Sequence, residues 1–247
     1  MIIIKSNNEI EKIKKACSVW KKVREALIAN TKEGVSLKEL DELSHKITLE
    51  NGCSSPFHQY NGFPGFNCIS VNEVVIHGVA TDYKLKMFDM VTFDIGVSYE
   101  GYICDAAFTV IIGDNPEAQK ISDVCYKALY EGISMVKPNN RIGDISNAIE
   151  QFVKINGYHV IRDFGGHGCG RKLHEDPIIL NYGQPNTGEL LRENMIICIE
   201  PMILTDSNKY YIDKNDNWSV VSKNKKLTCH WEHMVLVTSE GYEILTE

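Results

Sequence analysis

The chain has 247 residues, a formal net charge of −7 and a pI near 5.7. Its acidity argues against nucleic acid or an anionic membrane surface as the main partner, because both attract basic surfaces. No stretch reaches the roughly 18 consecutive apolar residues of a membrane span, and the apolar start at residues 2–4 is too short for a signal peptide. We therefore expect a cytoplasmic protein that binds a small molecule or a peptide.

The N-terminal part of the chain predicts two helices. Ser6 and Glu9 have the spacing of a capping box, and apolar residues then recur at helical spacing to about residue 30. Ser36 and Glu39 form a second capping box, followed by an apolar stripe that ends at Asn51-Gly52. Each helix therefore has its own start signal.

Strands and two more helices follow. β-Branched residues predict strands over 68–78 and 90–113, after a loop rich in glycine and aromatic residues. We expect a third helix from Pro116 to near Lys137-Pro138, and a fourth that Asp144 caps. The remaining strand-like runs are 158–170, 195–204 and 227–237.

The order of long helix, shorter helix ending in Asn-Gly, and strands occurs twice. Asn51-Gly52 and Asn156-Gly157 lie 105 residues apart. Two similar halves would create a site between them, although chance amphipathic helices explain the match as well. No Pro/Ser-rich linker separates the halves, so we expect residues 1–247 to form a single α+β domain.

The eight cysteines contain no pair closer than fifteen residues. This spacing excludes the CxxC pairs of zinc ribbons and thioredoxin-like sites. A long chain without a secretory signal rarely carries disulfides, so we expect free, buried thiols.

Two aspartates stand in the apolar run at residues 90–113. A turn at Tyr99-Glu100 would place Asp94 directly opposite Asp105 in a hairpin, with Cβ atoms about 5 Å apart. A turn at Glu100-Gly101 would make the pair diagonal. In both registers the two carboxylates share one face, and like charges there destabilise a sheet.

Something must compensate these charges, and a shared proton or bound cations would both do so. Two further apolar strands each contain one glutamate, Glu200 and Glu232, and four acids are too many for one proton. His167 lies among glycines that allow close backbone approach. None of these segments has a lysine or arginine beside its acid, so the set favours two divalent ions bound by carboxylates and one imidazole.

These residues lie in motifs that span nearly the whole chain. In order they are YNGFPGFNCISVNEVVIHG, DIGVSYEGYICD, GGHGCGRKLHEDP, IEPM and WEH. In sequence and spacing they resemble the type I methionine aminopeptidases.

The resemblance implies the pita-bread fold, an α+β fold of two pseudo-symmetric halves with an antiparallel-rich, curved sheet covered by helices. It implies removal of the N-terminal methionine from polypeptides with a small second residue, by a hydroxide that bridges two divalent metals, Co, Mn, Fe or Zn. Asp94 would chelate one metal, Asp105 and Glu232 would bridge, and His167 with Glu200 would hold the other. Glu200 would also act as the proton shuttle of the reaction.

The resemblance further implies residues that contact substrate. His77 would contact the scissile amide nitrogen, and His174 would hydrogen-bond the carbonyl oxygen. An apolar pocket for methionine would include the residues at matching positions, which are Phe57, Tyr60, Phe63, Cys68, Leu173 and Trp218. For Phe57 and Leu173, core packing explains the residue equally well.

Some positions depart from the family pattern. His230 and Met234 stand where the family commonly has Gln and Thr, Cys169 replaces a usual Ile, and CDAAF replaces the usual GDT around Asp105. None of these changes removes a ligand. We expect His230, beside the ligands, to alter metal affinity or preference.

Three alternative assignments fit the sequence less well. Prolidases and aminopeptidase P share the fold but carry an extra N-terminal domain, for which there is no room before Asp94. Type II methionine aminopeptidases need an insertion that the 32 residues from Glu200 to Glu232 cannot contain. A non-catalytic binding protein would not need all five ligand residues. Peptide N-termini are thus the expected partners of a monomer, with transient ribosome association.

Overall fold

The computed structural model describes residues 1–247 and contains four α-helices and fourteen β-strands. The helices are α1 (Asn7–Asn30), α2 (Leu37–Glu50), α3 (Pro116–Ser134) and α4 (Ile142–Ile155). The first strands are β1 (Cys68–Val71), β2 (Val74–Ile76), β3 (Met90–Tyr99) and β4 (Tyr102–Ile111). They are followed by β5 (His159–Val160), β6 (Gly165–Gly168), β7 (Glu175–Leu180), β8 (Ile196–Ile199) and β9 (Met202–Leu204). The last are β10 (Tyr210–Ile212), β11 (Val220–Ser222), β12 (Thr228–His230), β13 (His233–Val237) and β14 (Tyr242–Ile244).

Helices α1 and α2 begin with the predicted capping boxes. The Glu9 carboxylate accepts a hydrogen bond from the Ser6 backbone N–H at 2.9 Å, and Glu39 accepts one from Ser36 at 2.7 Å. The expected bounds of both helices are confirmed.

The predicted cap of α4 was wrong. Helix α4 starts at Ile142, two residues before Asp144, and the Asp144 carboxylate accepts from the Arg141 backbone N–H at 2.7 Å. Asp144 therefore occupies the third helical position, where an acid reaches back to the start of the helix. Helix α3 begins at Pro116 as expected and ends at Ser134, before the predicted Lys137-Pro138.

The β3–β4 hairpin adopts the second of the two predicted registers. Its turn is Glu100-Gly101, and both residues have positive φ, 49° and 81°, as a two-residue type I′ turn requires. Asp94 pairs with Ala107, and Gly96 pairs with Asp105. The two aspartates are thus diagonal neighbours on one face.

Every strand pairing in the molecule is antiparallel, and the largest sheet has five strands in the order β14-β13-β8-β6-β7. Alternate residues of β8 face two different hydrophobic cores. Ile196 and Cys198 pack into the core that includes α1 and α2, whereas Ile197 and Ile199 pack into the core of α3 and α4. Because both faces are covered, the strand is a continuous apolar run.

Four strands were missed by the sequence analysis, namely β7, β10, β11 and β14. Three of them have only three residues, which is too short for a periodic pattern to be read. β7 begins with Glu-Asp-Pro, residue types typical of turns.

A buried ion pair fixes the N-terminal segment to the second half. Lys5 Nζ lies 2.5 Å from Glu175 Oε2, and each side chain is 1% exposed. The other oxygen of Glu175 accepts from the backbone N–H groups of Arg171 and Lys172 at 2.7 and 2.9 Å. These bonds hold the loop that carries His174.

All eight cysteines are free and buried, as expected. None of the helices is both long enough and apolar enough to cross a membrane.

Candidate metal centre and substrate pocket

Five neighbouring elements supply the predicted ligand residues. Asp94 lies in β3, Asp105 in β4 and His167 in β6. The sequence analysis placed Glu200 and Glu232 inside strands, and this was wrong: they lie in the two-residue breaks between β8 and β9 and between β12 and β13. Each break directs its glutamate side chain into the site. The strands before and after the break keep their hydrogen-bonded partners.

The five side chains form two overlapping sets of potential ligands. Ligand atoms of Asp94, Asp105 and Glu232 lie within 4.8 Å of one another, and so do those of His167, Glu200 and Glu232. His167 Nε2 lies 3.5 Å from Glu200 Oε1 and 3.7 Å from Asp105 Oδ2. Glu232 belongs to both sets.

Backbone contacts bring these residues together. The Glu232 N–H donates to the Ala107 carbonyl at 3.0 Å, which aligns Glu232 with the β3–β4 hairpin. On β6, a Cβ atom at Gly166 would lie 2.1 Å from the Cys198 carbonyl oxygen. Only glycine permits this approach of β6 to β8, so Gly166 allows His167 to reach Glu200.

The carboxylates have no cationic side chain to neutralise them. No lysine or arginine forms an ion pair with any of the four, and one oxygen each of Asp94, Asp105 and Glu232 is buried without a hydrogen-bond partner. Burial raises the pKa of Asp94 to about 7. Burial, together with the neighbouring acids, also raises the pKa values of Asp105, Glu200 and Glu232 well above their usual range. Orphaned, crowded carboxylates of this kind fit a divalent cation.

His167 is oriented as a metal ligand. Its Nδ1 lies 2.9 Å from the Gly168 carbonyl oxygen, which can only accept, so Nδ1 carries the proton. Burial lowers the pKa of His167 to about 4, so the ring is neutral at pH 7. The lone pair of Nε2 therefore faces the carboxylates, and the backbone contact fixes the tautomer.

All the predicted pocket residues line one cavity of about 720 Å³ that also reaches the five ligand residues. Phe63 and Trp218 form an edge-to-face pair with ring centroids 5.3 Å apart. Phe57 and Leu173 line the cavity and are also part of the hydrophobic core, so both explanations of these residues apply. Tyr60, Cys68, His77 and His174 complete the predicted set.

The two additional histidines lie at the cavity in different settings. His77 has a positive φ of 57°, an uncommon backbone conformation for residues other than glycine. Burial lowers its pKa to about 4, and its ring meets Phe164 edge-on at 5.6 Å. His174 is exposed at the rim, with its ring 4.4 Å from that of His167. Phe164, which also lines the cavity, was not predicted, because it precedes the glycine run and resembles an ordinary strand residue.

Comparison with known proteins agrees with this geometry. Residues 11–239 match metallopeptidase family M24. A methionine aminopeptidase from Mycoplasmoides gallisepticum is 45% identical to the chain, with full coverage of both proteins. The crystal structure of methionine aminopeptidase from Rickettsia prowazekii superposes with a TM-score of 0.98 at 33% identity, again with full coverage of both chains.

The chain belongs to the methionine aminopeptidases of metallopeptidase family M24.

Membership confirms the resemblance and the pita-bread α+β fold expected from the sequence. A prolidase from Pyrococcus furiosus has the same fold at a TM-score of 0.80 and 26% identity, but the chain covers only 65% of that protein. Of these two groups, the methionine aminopeptidases thus match the chain with higher sequence identity and over a larger share of their own length.

Tyr60 provides a test of how this methionine aminopeptidase orients His174. The Tyr60 hydroxyl lies 2.9 Å from His174 Nδ1. Replacing Tyr60 with phenylalanine removes one hydrogen bond, a loss of about 0.5–1.5 kcal/mol. We expect kcat on a methionine-starting peptide to fall about 2–10-fold, measured by steady-state kinetics.

Tyr83→Phe is the control. It removes a hydrogen bond to Asp89 outside the cavity and should leave kcat unchanged. Equal kcat in all three proteins would contradict a role for Tyr60.

Proposed function

We propose that this protein hydrolyses the peptide bond after an N-terminal methionine, on polypeptides with a small second residue, with the help of two divalent metal ions. One observation carries the proposal: the cluster of unneutralised carboxylates opens directly onto an apolar cavity. A hydrolytic centre and a side-chain pocket are therefore adjacent, as an exopeptidase requires.

Five residues would hold the metal ions. We assign Asp94 to one ion, His167 and Glu200 to the other, and Asp105 and Glu232 to both. The two overlapping ligand sets support this division, because Glu232 belongs to each. Bound divalent ions supply the positive charge that makes water nucleophilic near neutral pH. Carboxylates with one imidazole suit Mn, Fe, Co or Zn.

Three residues would act on the substrate and on protons. Glu200 would accept the proton of the attacking water and pass it to the leaving amine, and the rise of its pKa on burial supports a proton-accepting role. His174 would donate a hydrogen bond to the carbonyl oxygen as negative charge develops there. His77, neutral at pH 7, would contact the amide nitrogen of the leaving residue.

The apolar end of the cavity would select methionine. Phe63 and Trp218 form an edge-to-face pair, and Cys68 is buried, lines the same cavity and pairs with Asp94 across β1 and β3. Sulfur makes favourable contacts with ring edges, and the unbranched methionine side chain adapts to a cavity lined by aromatic residues. Nascent polypeptides in the cytoplasm would supply such N-termini. The protein would act on them as a monomer that associates transiently with ribosomes.

Hydrolysis of defined peptides tests the proposal. Met-Ala-Ser, Leu-Ala-Ser and Ala-Pro are incubated with the protein loaded in turn with Mn²⁺, Fe²⁺, Co²⁺ or Zn²⁺, and free amino acids are quantified. We expect release of methionine from Met-Ala-Ser, at least about tenfold faster than release of leucine, since one misfitted side chain costs about 1–3 kcal/mol. Cleavage of Ala-Pro without cleavage of Met-Ala-Ser would indicate a prolidase-type activity instead.

A further inference from the structure

His230 is a buried histidine whose ring has no hydrogen-bond partner. It ends β12, is 1% exposed, and neither ring nitrogen meets a donor or acceptor at hydrogen-bond distance. Buried polar groups in folded proteins are almost always paired, so an unpaired imidazole calls for a reason. The only carboxylate within 4 Å is Glu200, with His230 Nε2 3.7 Å from Oε2.

His230 lies outside the ligand sets and outside the cavity. It belongs to no group of three ligand atoms within 4.8 Å of one another, whereas Glu200 belongs to one with His167 and Glu232. His230 also does not line the cavity, so it has no direct contact with a molecule bound there.

The carboxylate of Glu200 lies between two imidazoles. Oε1 faces His167 Nε2 at 3.5 Å, and Oε2 faces His230 Nε2 at 3.7 Å. A shift of about 0.5 Å or more brings the second contact to hydrogen-bond distance, about 3.2 Å or less. A histidine ring always carries a hydrogen on at least one nitrogen, and Glu200 Oε2 is the only carboxylate oxygen within 4 Å of the His230 ring.

We propose that His230 is a positioning residue: its Nε2–H donates to Glu200 Oε2 and thereby holds Oε1 toward His167 and the metal. The proposal rests on the function proposed above and adds a residue to it. His230 is itself anchored, because its backbone carbonyl accepts from the Thr109 hydroxyl at 2.9 Å and its strand pairs with Met202 in β9. The backbone of His230 is therefore fixed where its ring faces the Glu200 carboxylate.

Metal affinity tests the proposal without relying on turnover. Co²⁺ is titrated into wild type, His230→Leu and His230→Gln by calorimetry, and the visible absorption of bound Co²⁺ is recorded. Removal of a group that supports a metal ligand typically lowers metal affinity 10–100-fold. We expect that loss, with an altered Co²⁺ spectrum, in His230→Leu. Glutamine retains an N–H donor, so His230→Gln should bind within about threefold of wild type.

A matched control is available in the next strand. His233 is also buried, and its Nδ1 lies 2.8 Å from the Thr246 hydroxyl rather than near the ligand carboxylates. His233→Leu should leave the Co²⁺ affinity and spectrum unchanged, even if it lowers the melting temperature. Circular dichroism checks that each variant is folded.

Two results would overturn the positioning role. Unchanged Co²⁺ affinity and spectrum in folded His230→Leu would show that Glu200 needs no support. Equal losses in His230→Leu and His230→Gln would show that ring packing matters and the donor does not. A wild type that binds Co²⁺ but does not release methionine would contradict only the proposed function, so the two failures are distinguishable.

Discussion

Replacing Asp105 with asparagine is expected to reduce hydrolysis of Met-Ala-Ser on the order of 10⁴-fold, about 5.5 kcal/mol in activation free energy. Asp105 is 4% exposed and lies within ligand distance of both Asp94 and Glu232, and its Oδ2 is 3.7 Å from His167 Nε2. The amide is nearly isosteric but lacks the negative charge that a shared metal ligand must supply. The measurement is kcat/KM with saturating metal.

The same substitution should stabilise the protein in the presence of a chelator. Burial and the neighbouring acids raise the pKa of Asp105, which means that its charge is unfavourable in the fold. Without metal, asparagine removes that unfavourable charge, so the melting temperature in EDTA should rise. Asp114→Asn, on an exposed residue that follows the same hairpin, should change neither quantity. Lower activity accompanied by lower stability in EDTA would contradict this account, because it would point to simple damage of the fold.

Divalent metal is expected to raise the stability of the protein, and to raise it more at pH 8 than at pH 5. A metal present at 1,000 times its dissociation constant stabilises by about 4 kcal/mol. For a chain of this length, that corresponds to roughly 8–16 °C in melting temperature. Scanning calorimetry with Mn²⁺ and with EDTA measures the difference at each pH.

The direction of the pH effect follows from the raised pKa values of the carboxyl groups. A group with a raised pKa stabilises the metal-free fold fully below its ordinary pKa, and that contribution is lost as the pH rises through the folded value. For Asp94 this window runs from about 4 to about 7. Metal binds the ionised acids, so the gain from metal grows over the same range. Equal stabilisation at pH 5 and pH 8 would contradict the assignment of these acids as ligands.

Much of the fold could be predicted because local signals agreed with the final structure. The capping boxes at Ser6 and Ser36 and the apolar stripes behind them define α1 and α2 without reference to the rest of the chain. The cap of α4 was misplaced because an acid at the third helical position has the same residue type as a cap. The short strands β10, β11 and β14 depend on partners distant in sequence, which no local pattern reveals.

The sequence was sufficient to predict which residues form the acidic cluster, but not how their side chains are arranged. Asp94 and Asp105 stood out because two acids in an apolar hairpin require compensation, and both candidate registers placed them on one face. Glu100 lies in the turn of both candidate registers, and the observed one pairs it with Gly101, which accepts a positive φ at no steric cost, rather than with Tyr99. The breaks that hold Glu200 and Glu232, and the contact between His230 and Glu200, arise only when the two halves pack together.

Anomalous diffraction from crystals grown with Mn²⁺ tests the central claim most directly. We predict two anomalous peaks within the cluster, both contacting Asp105 and Glu232, one contacting Asp94 and the other contacting His167 and Glu200. A cluster without anomalous density, or ions bound only elsewhere on the surface while the protein still releases methionine, would contradict the account.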